Sequence, residues 1–344
     1  MTGWIALAGR ARSAEAQSAG AQSAGAGPVV LVLEVALPLR GPVVLLDARG
    51  TDGRGTDGRG PGEAALSVFA DPGAGVSVLC RRGPAVARLR LPGPLDLPAT
   101  GVLRLSLCWG GPGPGWSLRA EGLAAGLSRM VRGRGGLPLP PQVMAGMLAL
   151  TGDLRCDGAV LWVGLAAGER MPVPAPWIGP ATPVDTPNGP REVASLRVGD
   201  AVCTLAGVRM LAGVEQNDTP MSGSLTPVRL RAPWFARGAD LIVSSDQPVV
   251  LSGVSVEYLF GEDAVLAEAG HLAGHESARR DPRAGMMQGV SLHIDGTEEP
   301  GAAVILADGC TLAVGGVQDL RWLEAWEALP LRLHLGPGLR ARAA

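Results

Sequence analysis

The sequence predicts a mainly β chain of two domains, an N-terminal β-sandwich and a second all-β domain ending in a short C-terminal helix. Three observations lead there. Between residues 28 and 126 the apolar residues fall in short β-branched or alternating runs bounded by Gly or Pro. Residues 177–204 read as strand, turn, helical turn, tight turn, strand. The tail LRWLEAWEALPLRLHLG spaces Trp322 and Trp326 on one helical face, flanked by Leu323 and Leu329. A length of 344 residues with 47% hydrophobic side chains is enough for two cores.

In chain order, residues 1–27 form a flexible N-terminal segment. Its apolar run ends by Ala8, too short for a secretory signal, and the perfect repeat AQSAG-AQSAG reads as a small-residue linker. The sandwich follows over 28–126. PVVLVLEVAL, GPVVLLDA, LSVFAD and VSVLC supply strands, and ARLRL and VLRLSLCW alternate strictly, as strands with one solvated face do. The tandem repeat RGTDGRGTDGRGPG is a loop between them. The set is similar to a jelly roll of the concanavalin-like type. An aromatic sugar site there falls to Trp109 and Trp116, which flank a Gly/Pro loop; their alternative role is core packing. Residues 127–176 read as a linker and transition segment, with a short apolar helix in VMAGMLALTG, a buried strand in AVLWVGLA and a Pro-rich joint in MPVPAPW.

The second domain, 177–320, carries the most informative order. Thr182 to Thr186 run extended into Pro187-Asn188-Gly189, a turn whose Asn-Gly accepts positive φ. Val193 and Leu196 share the face of one helical turn, and Gly199-Asp200 stops it before Ala201-Val202-Cys203. Further on come LIVSSDQPVVLSG, VEYLF, read as an alternating strand with Glu257 outward, and LHIDGTEEPGAAVILADGC. Together these blocks resemble the Hint (hedgehog/intein) family in its bacterial form, over roughly residues 176–320.

The resemblance implies a self-cleaving site and also its loss. Aligned on Thr182, the family's nucleophilic Cys position is Trp177, and the family's His position is Gln247. An indole is no nucleophile at neutral pH, and a carboxamide cannot shuttle a proton. The expected catalytic residues are therefore none, with Thr182, Asp200, Asp246 and Gln247 as site remnants. Cys203, inside a strand, reads as a small buried hydrophobe rather than a displaced nucleophile.

Composition excludes other classes. The net charge is −2, and the thirty basic residues, all Arg, are scattered singly, which fits a GC-rich bacterial genome and gives no stripe for nucleic acid. No apolar run reaches membrane-spanning length. The five cysteines form no Cys-x-x-Cys pair, and between His271 and His275, four apart, Leu272-Ala273-Gly274 lacks the metalloprotease glutamate and contains a helix-weakening Gly, so no metal and no cofactor is expected. Partners are unknown, a carbohydrate or a protein being the classes left open, and the location is cytoplasmic by default or reached by signal-less secretion. Three functions stand at this stage: a Hint-fold structural or binding module without autoproteolysis, a self-cleaving protein with a displaced nucleophile, and a carbohydrate- or surface-binding protein acting through the sandwich.

Overall fold

The computed structural model describes residues 4–9, 27–52, 62–110, 115–123, 126–137, 139–148, 153–172, 175–281, 283, 285–294, 301–317 and 319–334. The AQSAG repeat and the centre of the second repeat lie outside the described residues. The chain divides into two units, Met1–Val173 with Ser222–Ser224, and Pro174–Met221 with Leu225–Ala344.

The first unit contains β1 (Trp4–Gly9), β2 (Val29–Leu37), β3 (Val43–Asp52), β4 (Gly62–Asp71), β5 (Gly75–Arg82), β6 (Ala85–Pro92), β7 (Gly101–Trp109), β8 (Gly115–Gly122), β9 (Leu127–Arg134), α1 (Pro141–Leu148), β10 (Asp153–Cys156) and β11 (Val160–Ala167). Two antiparallel sheets, β1-β11-β2-β7-β8-β9 and β10-β3-β4-β5-β6, enclose one core. Alternation sets the faces: along β7, Leu103, Leu105, Leu107 and Trp109 are buried, while Arg104, Ser106 and Cys108 are not. Helix α1 buries Met144, Met147 and Leu148 against β3, where Gly50 leaves room for the Met147 side chain. Residues 127–167, read from sequence as linker and transition, thus supply three strands and a helix to this unit, and β1 pairs β11 from within the segment expected to be flexible. Their Pro and Gly punctuation masks the partnership, which joins residues more than 150 positions apart.

Strand β2 is buried on both faces. Leu31, Leu33 and Val35 enter the core, and Val30, Val32 and Glu34 lie on the opposite face, also fully covered. Glu34 accepts hydrogen bonds from Arg104 Nε (2.9 Å) and Trp162 Nε1 (2.9 Å), and Trp162 meets Trp4 edge to face at 5.6 Å.

The second unit contains β12 (Pro183–Val184), β13 (Arg191–Glu192), β14 (Ala201–Thr204), β15 (Gly207–Pro220), β16 (Val228–Leu230), β17 (Leu241–Val243), β18 (Pro248–Ser252), α2 (Val254–Phe260), β19 (Ala264–Glu268), α3 (Ala269–Leu272), β20 (Ala278–Arg280), β21 (Met286–Ile294), β22 (Val304–Ala307), β23 (Cys310–Ala313), β24 (Arg321–Trp322) and α4 (Ala328–His334). Its main sheet runs β21-β15-β14-β22-β23-β18-β19-β24, beside a three-stranded sheet β17-β16-β20 and the pair β12-β13. The long strand β15 pairs β14 through Gly207–Met210 and then pairs β21 from Leu211 to Pro220, with a register shift in that second ladder between Leu211 and Gly213.

Two segments differ from the sequence reading. VEYLF is helical, not a strand: Gly253 and the left-handed Gly261 bracket α2, and Val256, Leu259 and Phe260 turn inward at helical spacing, leaving Tyr258 exposed. The tail helix begins only at Ala328. Pro330 lies in its first turn, the place in a helix where a missing N–H costs nothing, so Trp322 falls in β24 and Trp326 in the preceding turn, both exposed. Among the described residues no helix is long and apolar enough to cross a membrane.

At the end of β20, buried Asp281 takes hydrogen bonds from Arg283 Nε (3.0 Å) and Arg283 Nη2 (2.6 Å) and pairs with Arg229 at 3.3 Å. Burial opposes its charge, but the Arg283 hydrogen bonds and the two guanidinium charges outweigh it and hold the carboxyl below its usual range. A depressed folded pKa stabilises above the unfolded value, and that contribution disappears as pH falls through the folded value. Asp281→Asn is therefore expected to lower stability at pH 7 and to flatten its decline below about pH 4, read from urea midpoints across pH. An unchanged acid profile would sink the assignment.

Candidate functional site

The site forms where the chain enters the second unit. Ile178 bridges two strands: its N–H donates to Val290 O (2.9 Å), its carbonyl accepts from Val290 N (2.9 Å), and it also pairs with Val243. Gly179 N donates to Ile242 O at 2.7 Å, and a side chain at 179 would begin 2.9 Å from that oxygen, so the close approach requires glycine. The next residues fold as their chemistry dictates. Gly189 takes φ +102° in the Asn-Gly turn, tied back by Thr186 Oγ1 donating to Gly189 O, and Val193 and Leu196 are fully buried.

Trp177 precedes Ile178 and is locked to the turn between β17 and β18. Its N–H donates to Ser244 Oγ (3.0 Å) and its carbonyl accepts from Ser244 N (2.9 Å). The indole is 3% exposed and lies on Gly289, where an added Cβ would stand 2.5 Å from the ring. Gln247, three residues after Ser244, is 1% exposed; its Nε2 donates to Pro248 O (3.1 Å) and Ala313 O (2.7 Å), and its backbone carbonyl accepts from Ala269 N. Trp177 and Gln247 are thus tied to the same turn, Trp177 through the Ser244 hydroxyl and N–H and Gln247 as part of it, with its amide on two backbone carbonyls.

The other sequence candidates separate. Thr182 is buried and its carbonyl accepts from Val193 N, a backbone role in the first turn. Asp200 caps its own turn, accepting from Arg197 N (2.9 Å) and Arg191 Nη1 (3.1 Å). Asp246 stays beside Gln247. Burial raises the Glu268 carboxyl, His271 at 3.5 Å pulls it back, and the charges of Asp246 and Glu324 add smaller pushes upward. Sequence reading missed Glu268 and treated His271 only as a partner for His275. The structure ends α3 at Leu272, and Gly274 at φ +123° takes the chain away from the helix, so the two imidazoles share no helical face. Among the described residues, buried His271 Nδ1 has no hydrogen-bond partner.

Among the described residues no three His, Cys, Asp or Glu side chains gather as a metal would need. Burial pushes the Cys80 and Cys310 thiols up to about 12, far from thiolates at neutral pH, and Cys203 is half-buried in β14 with its N–H on Asp185 O. In the first unit Trp109 is a core residue, 4% exposed with Nε1 donating to Leu139 O at 2.8 Å, so it offers no face to a sugar. Trp116, its cross-strand neighbour, is half-buried with its ring over Gly133 of β9.

Among solved structures, the chain is similar to the MchDnaB-1 intein at 16% identity, over 40% of this chain and 98% of that one, with TM-score 0.29. It is similar to the gp41-1 intein at 11% identity, over 41% and 99%, with TM-score 0.26. A third is tailspike protein 2 from Escherichia coli O157:H7 bacteriophage CAB120, at 15% identity over 42% of this chain and 21% of that one, with TM-score 0.27. No curated protein matches the sequence. Residues 179–312 match the family model of the Hint domain, a span that takes in the Asn188-Gly189 turn, Gly199-Asp200 and the turn carrying Gln247. The chain carries a Hint domain at residues 179–312.

Proposed function

We propose that this Hint domain does not cleave its own chain and serves as a structural or binding module. One observation carries the reading: Trp177, which the alignment on Thr182 puts at the nucleophile position, is an indole with no attacking atom, packed on Gly289 and fixed to Ser244 through that residue's hydroxyl and its backbone N–H. Gln247 supports it, because its amide is spent on two carbonyls and offers no proton acceptor of imidazole basicity. Acyl transfer needs a nucleophile and a proton carrier on one carbonyl, and this pair provides neither.

Intact mass of the freshly purified chain, repeated after a day with and without dithiothreitol, tests the proposal. One species at 35.1 kDa in every sample is expected. Two fragments summing to that mass, with the break next to Trp177, would overturn it and make Ser244, whose hydroxyl already touches the Trp177 amide, the first residue to substitute.

A further inference from the structure

The second unit holds a cleft of about 500 Å3, lined by Ala273, Gly274, His275, Glu276, Arg279 and Arg280, within the size range of small-ligand sites. We propose that this cleft binds the phosphate-type oxyanion of a small molecule, held between Arg280 and Arg332. Gly274 shapes it. At φ +123° the backbone excludes an ordinary side chain, and the place a Cβ would take lies 3.4 Å from Arg332 Nη1, so the missing side chain brings that guanidinium to the cleft wall.

Arg332 is half-buried, its Nε donating to His271 O. Among the described residues, Arg280 Nη1 reaches Ser245 Oγ and Thr226 O, both at 3.5 Å, at the limit of a hydrogen bond. Among the described residues neither guanidinium has a carboxylate partner: Glu276 pairs with Arg279 at 3.9 Å, and Glu268 faces His271. Desolvation by the cleft walls and the charge of Arg332 both push the Arg280 guanidinium down from its ordinary value. Two cations converging on one cleft are opposed by their own repulsion, and an anion between them removes it. A guanidinium fork matches the spacing of phosphate oxygens and binds them in pairs.

The inference does not depend on whether the chain cleaves itself, since the cleft residues lie outside the Trp177–Gln247 turn and Arg280 touches it only at the Ser245 hydroxyl. Inorganic phosphate is the probe, titrated into the full chain by calorimetry and by thermal unfolding, with sodium chloride at matched ionic strength as reference. Phosphate is expected to bind and to raise the melting temperature where chloride does not. Arg280→Gln and Arg332→Gln are each expected to weaken binding about tenfold or more, as loss of a charge-assisted hydrogen bond does, while Arg88→Gln in the first unit changes nothing. If Arg280→Gln does not fold, Arg332→Gln carries the test alone. Equal responses to phosphate and chloride, wild-type binding by the folded variants, or an equal loss in Arg88→Gln each overturn the proposal.

Discussion

Trp177→Ala lowers the stability of the second unit by about 3–5 kcal/mol, the range for emptying a buried aromatic site. The indole is 3% exposed and sits directly on Gly289, where the β21 backbone cannot move into the space without breaking its pairing with β15. The same contact predicts a coupling. Gly289→Ala alone drives a methyl into the ring and costs about 1–3 kcal/mol, the usual scale of overpacking, but far less once the ring is gone. Urea unfolding of both single variants and the double variant measures both effects. A Trp177→Ala loss below about 1 kcal/mol, or strictly additive costs, would show that the ring does not pack there. The result also bears on any attempt to place a nucleophile at this position: Trp177→Cys leaves most of the same void, so the introduced thiol would sit in a destabilised site.

Glu34→Leu is the second large effect, about 3–5 kcal/mol in the first unit, the cost of removing one partner from a buried ion pair. Glu34 is fully buried in β2, and Arg104, its partner at 2.8 Å from β7, is only 21% exposed and cannot swing fully into water. The Trp162 indole N–H loses its acceptor as well. Glu34→Gln separates charge from shape: it keeps one accepting oxygen, so its loss should be smaller than that of Glu34→Leu by chemical denaturation. Equal losses would refute the pairing argument; near-neutral behaviour of Glu34→Leu would mean that Arg104 finds water.

Much of this architecture was legible where a local pattern had only one solution. Strands such as β7 alternate strictly, and Asn188-Gly189 and Gly199-Asp200 turn the chain where their backbone preferences demand. Legibility failed where two periods fit one short run. VSVEYLF satisfies both strand and helix over seven residues, and only the flanking Gly253 and Gly261 decide for the helix. The tail misled differently, since its helical spacing begins before the point that Pro330 permits. Of the candidate site, Trp177 and Gln247 could be named from the sequence because each falls in or beside a motif. Glu268 could not: it reaches the Gln247 turn through the pairing of Pro248 with Glu268 across β18 and β19. Arg280 and Arg332 lie 52 positions apart, on a strand and a helix, and no spacing rule links them.

The irregularity in β15 has a consequence for how this domain tolerates change. A strand has only two faces, so inserting one residue ordinarily exchanges inside for outside along everything that follows. Between Leu211 and Gly213 the β15–β21 ladder already carries an extra residue, so its register shifts there while the β14 pairing of Gly207–Met210 lies outside the shift. That joint acts as an expansion gap: length can be gained or lost there while Val202 and Leu292, in the partner strands on either side, stay in the core.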